Sequence, residues 1–217
     1  MMTIKQKLSI LAILLAVFTQ TIFAQKIVVG GSPGPYIDLF KEAIAPTLET
    51  KGYSFEYKEF SDYVQPNLAL NNKAIDVNIF QHSVYLAKFS ADKGLDLSPL
   101  ISVPTAALGI YSKKYKTIAD IKDGSSITVP NDATNLARAL RYLQTANLLK
   151  IKPDIDAAKA SEKDIAENPK KLKIKPVEAA QIPRTINGVD VAVANGNYAI
   201  SAGIYSTAID REVLSED

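Results

Sequence analysis

The sequence of 217 residues contains no cysteine and only one histidine, His82. Without cysteine, the chain can form neither a disulfide nor a thiolate metal site, and it has no cysteine nucleophile. A single histidine also excludes a zinc site built from several histidines. We therefore expect neither a metal nor a cofactor.

The chain also lacks an apolar run of the ~20 residues that a membrane-spanning helix requires. Its longest apolar run, residues 8–18, is too short to span a bilayer and follows two lysines, Lys5 and Lys7. A small residue, Ala24, ends the segment. This order predicts a signal peptide over residues 1–24 and an exported protein, periplasmic or secreted, with no lipid-accepting cysteine after the signal.

The predicted mature chain has no excess of charge of either sign. The sequence contains 25 lysines and arginines and 23 acidic residues, and residues 1–24 hold two of the lysines and no acid. Cleavage therefore leaves 23 basic residues against 23 acidic ones. A neutral chain offers no basic surface for nucleic acid or for a membrane.

The hydrophobic pattern predicts an α/β fold of two lobes. Apolar strands at 26–30 and 54–60 flank a helix at 36–50, and parallel strands joined by a helix imply an α/β sheet. A similar unit begins after Pro104, and a polar helix is predicted over 158–167. We predict a first lobe over 25–103, a second over 104–197, and a segment over 198–217 that returns toward the first.

Residues 76–86 contain the histidine between two aromatic residues, Phe80 and Tyr85. Alternation along an extended segment predicts that Asn78, Phe80 and His82 share one side and that Gln81 faces the other. Ligands of open α/β sheets bind at the carboxyl ends of strands. The segment is therefore either a ligand-binding wall or a buried strand end with a satisfied histidine.

Two further features bear on ligand chemistry. Arg138 lies in the second turn of a predicted helix at 134–149, where its guanidinium either binds a ligand carboxylate through two parallel bonds or pairs with an acid of the protein. The glycine-rich turn at 31–35 matches no phosphate-binding spacing, and its two prolines remove backbone donors. Aromatic, imidazole, guanidinium and amide groups facing one cleft would suit a zwitterion with an apolar tail.

Seven segments resemble the methionine-binding proteins of ABC importers, the MetQ/NlpA lipoprotein family. They follow the family's order and are SPGPY at 32–36, DYVQPNLAL at 62–70, FQHSVYL at 80–86, VPNDATNLARAL at 129–140, ENPKKLK at 167–173, EAAQIPR at 178–184 and NGNYA at 195–199. The resemblance implies a type II periplasmic-binding fold, whose two α/β lobes close on an amino acid, and an ABC permease as partner. We expect a monomer and no enzymatic activity.

The resemblance also implies roles for six residues. An aromatic and apolar wall is formed by Tyr63, Phe80, His82 and Tyr85. Arg138 binds the ligand carboxylate, and Asn195 has a polar role at the main chain of the ligand.

The sequence departs from the family pattern in four places. Val84 replaces the proline of H-x-P-Y, and Tyr36 replaces a histidine that often follows P-G-P. The lipid-bearing cysteine is absent, which predicts a freely diffusing form. The family continues past residue 217 with a strand and a helix of the first lobe, so that lobe is expected to lack both.

Other functions fit parts of the sequence. The ligand is methionine, a related small amino acid or a methionine-containing dipeptide under the receptor hypothesis. A degenerate relative that no longer closes on ligand would instead be an interaction protein of the envelope. A hydrolase would need a nucleophile and an acid beside His82, and no G-x-S-x-G motif is present.

Overall fold

The computed structural model describes residues 25–156 and 158–214. The predicted signal peptide, residues 1–24, therefore lies outside the described residues. Within the described ranges, no helix combines the length and the apolar character that crossing a bilayer requires.

The first lobe is built on a parallel sheet of three strands in the order β2-β1-β3. Its strands are β1 (Gln25–Gly31), β2 (Tyr53–Glu59) and β3 (Val77–Ile79), and its helices are α1 (Pro35–Leu39), α2 (Ala45–Glu49), α3 (Gln65–Asn71) and α4 (Ser83–Lys93). The predicted β-α-β unit is thereby confirmed.

A π-helical turn, Phe40–Ile44, joins α1 to α2. The turn precedes Pro46, which has no N–H to donate to the carbonyl four residues earlier. Ala45 donates instead to the carbonyl of Phe40, five residues back. The wider turn lets the helical path continue through the proline, and Phe40 and Ala45 pack into the core beneath β1 and β2.

The second lobe is built on a mixed sheet of five strands in the order β10-β4-β9-β5-β8. Its strands are β4 (Gly109–Tyr111), β5 (Ser126–Pro130), β8 (Lys173–Val177), β9 (Val191–Ala194) and β10 (Asp210–Arg211), and its helices are α5 (Ala133–Thr145), α6 (Ile182–Thr185) and α7 (Gly196–Ser201). A separate hairpin pairs β6 (Lys150–Ile151) with β7 (Ile165–Glu167).

The main core of this lobe lies between the sheet and α5. Leu140 and Leu143 of this helix are fully buried against Ile127 and Val129 of β5. Asp132 begins α5 because its carboxylate accepts the backbone N–H of Asn135, three residues on.

Two predictions about this lobe need correction. The helix predicted over 158–167 is instead a 3-10 turn, Glu162–Asp164, followed by β7, because β7 pairs with β6 and its Ile165 packs on the core. The segment 198–217 was predicted to return to the first lobe, but within its described part, residues 198–214, β10 joins the second sheet and pairs antiparallel with β4. Tyr198, at the beginning of the segment, packs among aromatic residues of the first lobe.

Candidate ligand-binding site

The carboxyl ends of parallel strands from both sheets face one cavity. From the first lobe, β3 leads into Phe80 and His82, and from the second, β9 leads into Asn195. The predicted alternation along residues 76–86 is wrong, because the strand ends at Ile79.

Beyond Ile79, the chain turns toward α4 and the side chains no longer alternate. The amide of Gln81 donates to the side-chain oxygens of Asn78 and Asn67, at 3.2 and 2.8 Å, so Gln81 lies on the side of Asn78. Asn67 is fully buried, and its network fixes the loop that carries Phe80 and His82.

All six residues that the resemblance singled out line this cavity: Tyr63, Phe80, His82, Tyr85, Arg138 and Asn195. The lining also includes Tyr36, Gln81, Thr105, Ala106, Asn135, Gly196 and Asn197. Most of these additional residues lie inside the quoted motifs.

The aromatic wall consists of three rings from the first lobe. Tyr63 stacks on Phe80 with ring centroids 5.8 Å apart, and Tyr85 meets both rings edge-on. The hydroxyl of Tyr85 donates to the carbonyl of Tyr63, at 3.0 Å. Burial raises the pKa of Tyr63 well above its ordinary value, so this wall is uncharged at neutral pH.

Asn197 bonds the two lobes to each other across the cavity. Its side-chain oxygen accepts the hydroxyl of Tyr63 at 2.6 Å, and its amide donates to the carbonyl of Pro33 at 2.9 Å and to the hydroxyl of Ser32 at 3.3 Å. We refer to these three bonds as the Asn197 clasp. A second bond between lobes joins the hydroxyls of Tyr36 and Thr105, 3.2 Å apart. Hydrogen bonds therefore join the two lobes beside the cavity.

A chain of hydrogen bonds fixes the orientation of Asn195. The carboxylate of Asp132 can only accept, and both its oxygens bond the amide nitrogen of Asn135, at 3.0 and 3.1 Å. The side-chain oxygen of Asn135 therefore faces Asn195 and accepts its amide N–H at 2.9 Å. The side-chain oxygen of Asn195 is left buried and without a partner among the described residues. An unpaired buried acceptor is costly, and a ligand donor would satisfy it.

The bonds of His82 define its tautomer. Its Nδ1 accepts the backbone N–H of Tyr85 at 3.1 Å, and this bond caps the beginning of α4. Because Nδ1 is an acceptor, the proton of the neutral ring is on Nε2, which lies 3.4 Å from the side-chain oxygen of Asn135. Burial and the charge of Arg138 lower the pKa of His82, while Asn135, Asp132 and Glu212 oppose that shift. His82 is thus a neutral wall residue whose two nitrogens are engaged within the protein.

We expect the unfolding free energy to fall as His82 becomes protonated. The folded protein holds the pKa of His82 below 6.5, so the unfolded chain binds the proton more readily. The contribution of neutral His82 to the unfolding free energy is complete above pH 6.5 and is lost as the pH falls from 6.5 through the lowered pKa of the folded protein. His82→Asn can still accept the N–H of Tyr85 and does not titrate, so its stability should decline less over this range.

The measurement is chemical denaturation of both proteins at a series of pH values, with NMR titration of the single imidazole. An imidazole that titrates above pH 6.5, or equal declines in stability for both proteins, would contradict this description of His82.

Arg138 lies on α5 at the edge of the cavity and pairs with an acid of the protein. Its Nε and Nη2 donate to the two carboxylate oxygens of Glu212, at 2.9 and 2.5 Å. Sequence reasoning missed this partner because Glu212 is 74 positions away along the chain. Among the described residues, no other acceptor bonds the guanidinium, which leaves three of its five N–H groups for a ligand.

The comparisons with known proteins agree with this geometry. The family model of the NlpA lipoprotein matches residues 27–212. The chain is 40% identical over 184 residues to outer membrane lipoprotein 3 of Mannheimia haemolytica, covering 85% of this chain and 70% of that protein. It is 38% identical to a probable D-methionine-binding lipoprotein MetQ of Vibrio cholerae, covering 82% of this chain and 66% of that protein.

Solved structures show the same fold. A nutrient-binding protein from Burkholderia cenocepacia bound to methionine superposes with a TM-score of 0.79 at 39% identity, covering 88% of this chain and 80% of that one. A periplasmic substrate-binding protein of an ABC transporter from Coxiella burnetii superposes with a TM-score of 0.81 at 38% identity, covering 86% of this chain and 79% of that one. The fold is therefore that of the two-lobed periplasmic substrate-binding proteins. The chain spans 63 to 70% of the length of the first curated relatives.

Proposed function

Because the chain belongs to the NlpA lipoprotein family, we propose that it is a substrate-binding protein that captures methionine or a related amino acid for an ABC importer. It acts outside the cytoplasm, as a monomer, and delivers its ligand to the permease in the membrane. The observation that carries the proposal is the placement of three different groups around one cavity. These are a guanidinium edge, an unpaired amide oxygen and an aromatic wall.

The guanidinium of Arg138 is suited to the carboxylate of an amino acid. Its remaining N–H groups include both protons of Nη1 and one of Nη2, which form the second edge of the planar fork. Two parallel N–H groups match the two oxygens of a carboxylate. A ligand carboxylate can therefore bind at this edge while Glu212 stays on the first.

The side-chain oxygen of Asn195 is suited to the ammonium group. It is an acceptor, it lines the cavity, and the chain of bonds from Asp132 through Asn135 prevents the amide from turning its nitrogen toward the ligand. An ammonium group donates three hydrogen bonds and accepts none. A carboxylate at Arg138 and an ammonium at Asn195 together describe the main chain of an amino acid.

The wall formed by Tyr63, Phe80 and Tyr85 is suited to an apolar side chain such as that of methionine. All three residues are less than 10% exposed. A thioether makes favourable contacts with aromatic rings at about 5 Å, each worth ~0.3–1.5 kcal/mol.

The alternative of a hydrolase receives no support from the bonds of His82. Its two ring nitrogens contact the backbone N–H of Tyr85 and the side chain of Asn135, and in the described ranges neither contacts a hydroxyl that could act as nucleophile. A general base must reach the proton that it removes. His82 therefore serves as a helix cap and wall in this proposal.

The experiment is thermal unfolding of the protein after denaturation and refolding, which removes bound ligand. L-methionine, D-methionine, other amino acids and methionine dipeptides are each added in excess. A ligand at a hundred times its dissociation constant should stabilise the protein by about 2.7 kcal/mol. We expect the largest shift with a methionine isomer. Cooperative unfolding with no shift from any ligand would overturn the proposal in favour of a protein that no longer binds.

A further inference from the structure

Glu212 is held in place by backbone bonds as well as by Arg138. Its Oε2 accepts the N–H of Leu108 at 3.0 Å, and its own N–H donates to the carbonyl of Leu108, also at 3.0 Å. These bonds extend the pairing of β10 with β4 by one step. The side chains of Arg138 and Glu212 are only 15% and 18% exposed. The carboxylate is therefore a fixed group of the sheet and not a mobile surface acid.

The contact with Glu212 fixes the direction of the guanidinium. Glu212 binds the edge formed by Nε and Nη2, so the edge formed by Nη1 and Nη2 is the one left for the cavity. A free arginine side chain samples many rotamers, and ligand binding would otherwise have to overcome the loss of that freedom. Holding the group in its binding direction before the ligand arrives lowers that cost.

The same contact balances the charge at the edge of the cavity. Arg138 and Glu212 together are neutral, His82 is neutral, and Asp132 keeps its negative charge while it accepts hydrogen bonds from Asn135 and Thr134. An unbalanced arginine would favour any anion that fits the cavity. When Arg138 is paired with Glu212, the site favours an anion less strongly over a zwitterion. The reason is that the carboxylate that attracts the guanidinium also attracts the ammonium group of a ligand.

We propose, on the basis of the proposed function, that Glu212 is a positioning and specificity residue. It orients Arg138 toward the ligand carboxylate and offsets its charge, so that the site selects a zwitterionic amino acid over an anion of the same shape.

The test compares two ligands that differ only at the amino group. They are L-methionine and 4-(methylthio)butanoate, which is methionine without its α-amino group. Isothermal titration measures both dissociation constants for the wild type, Glu212→Gln and Glu212→Asp. Glu167→Gln, at an exposed ion pair with Lys150, is the matched control. Unfolding temperatures confirm that each variant is folded.

We expect Glu212→Gln to bind methionine about tenfold more weakly, and the preference for methionine over the desamino acid to shrink by about tenfold. Glu212→Asp keeps the negative charge and has a side chain too short for the same contact with Arg138. It should therefore lower the affinity for both ligands and preserve the preference for methionine over the desamino acid. A preference that is unchanged in Glu212→Gln would overturn the inference. Wild-type protein that binds neither ligand would overturn the proposed function, and this inference with it.

Discussion

Replacing Arg138 with alanine should weaken methionine binding by at least about thirtyfold. Under the proposed function, the change removes the two parallel N–H groups offered to the ligand carboxylate and leaves that carboxylate in the cavity without a charged partner. Truncating one partner of a buried, hydrogen-bonded charge pair costs ~2–5 kcal/mol, and each 1.4 kcal/mol is about a tenfold change in affinity. Isothermal titration with L-methionine measures the loss.

Arg141→Ala is the matched control, because Arg141 lies on the same helix and is exposed. It should bind methionine as the wild type does. Arg138→Ala also leaves Glu212 largely buried and without its cation, so a second variant separates binding from folding. Arg138→Lys keeps a cation beside Glu212 and lacks the planar fork, and it should lose at least about tenfold in affinity. Normal methionine binding by either Arg138 variant would show that the carboxylate binds elsewhere.

Gly34→Ala should lower both the stability of the protein and its affinity for ligand. Gly34 has φ +119° and ψ −156°, a conformation essentially restricted to glycine, and such strain costs ~1–3 kcal/mol. A Cβ added there would lie 2.7–2.9 Å from three atoms of Asn197, its backbone oxygen, Cα and Cβ. Since Asn197 belongs to the other lobe, the clash pushes the lobes apart as well as straining the loop.

Gly124→Ala separates these two effects. Gly124 has φ +76°, and a Cβ added there would meet no neighbouring atom within 4 Å, so alanine at this position brings backbone strain alone. Both variants should unfold at lower temperature, and only Gly34→Ala should bind methionine more weakly, by about tenfold or more. Unfolding curves and titration calorimetry check the two quantities. Equal affinities for the two variants would argue against contact at Gly34 as a requirement for closure.

The short-range pattern of the sequence predicts most of the elements that carry the site. The strands predicted at 26–30 and 54–60 match β1 and β2, and the helix predicted over 134–149 contains most of α5, because apolar spacing is a local signal. The helix predicted over 158–167 failed because pairing of β6 with β7 overrides local preference there. The strand through Phe80 stopped early because α4 begins at the cap provided by His82.

Within the site, the motifs of the family resemblance identified the residues that line the cavity, and what they missed depends on contacts between distant residues. Asn135 donates its amide N–H to Asp132, which turns its side-chain oxygen toward Asn195 and so fixes the orientation of that residue, 60 positions later. Glu212 matters because β10 pairs with β4, about a hundred positions earlier. Neither relation has a signature in local spacing, so neither could be found without the three-dimensional structure.

Under the proposed function, the Asn197 clasp bears on how fast ligand can come and go. Its bonds to Tyr63, Pro33 and Ser32 join the lobes beside the cavity, so the lobes can separate only after those bonds break. Where release of a ligand requires the lobes to separate, the lifetime of the clasp contributes to the residence time of that ligand. The proposed receptor would then keep its cargo longer while it diffuses, and a partner that stabilises the separated lobes would speed unloading.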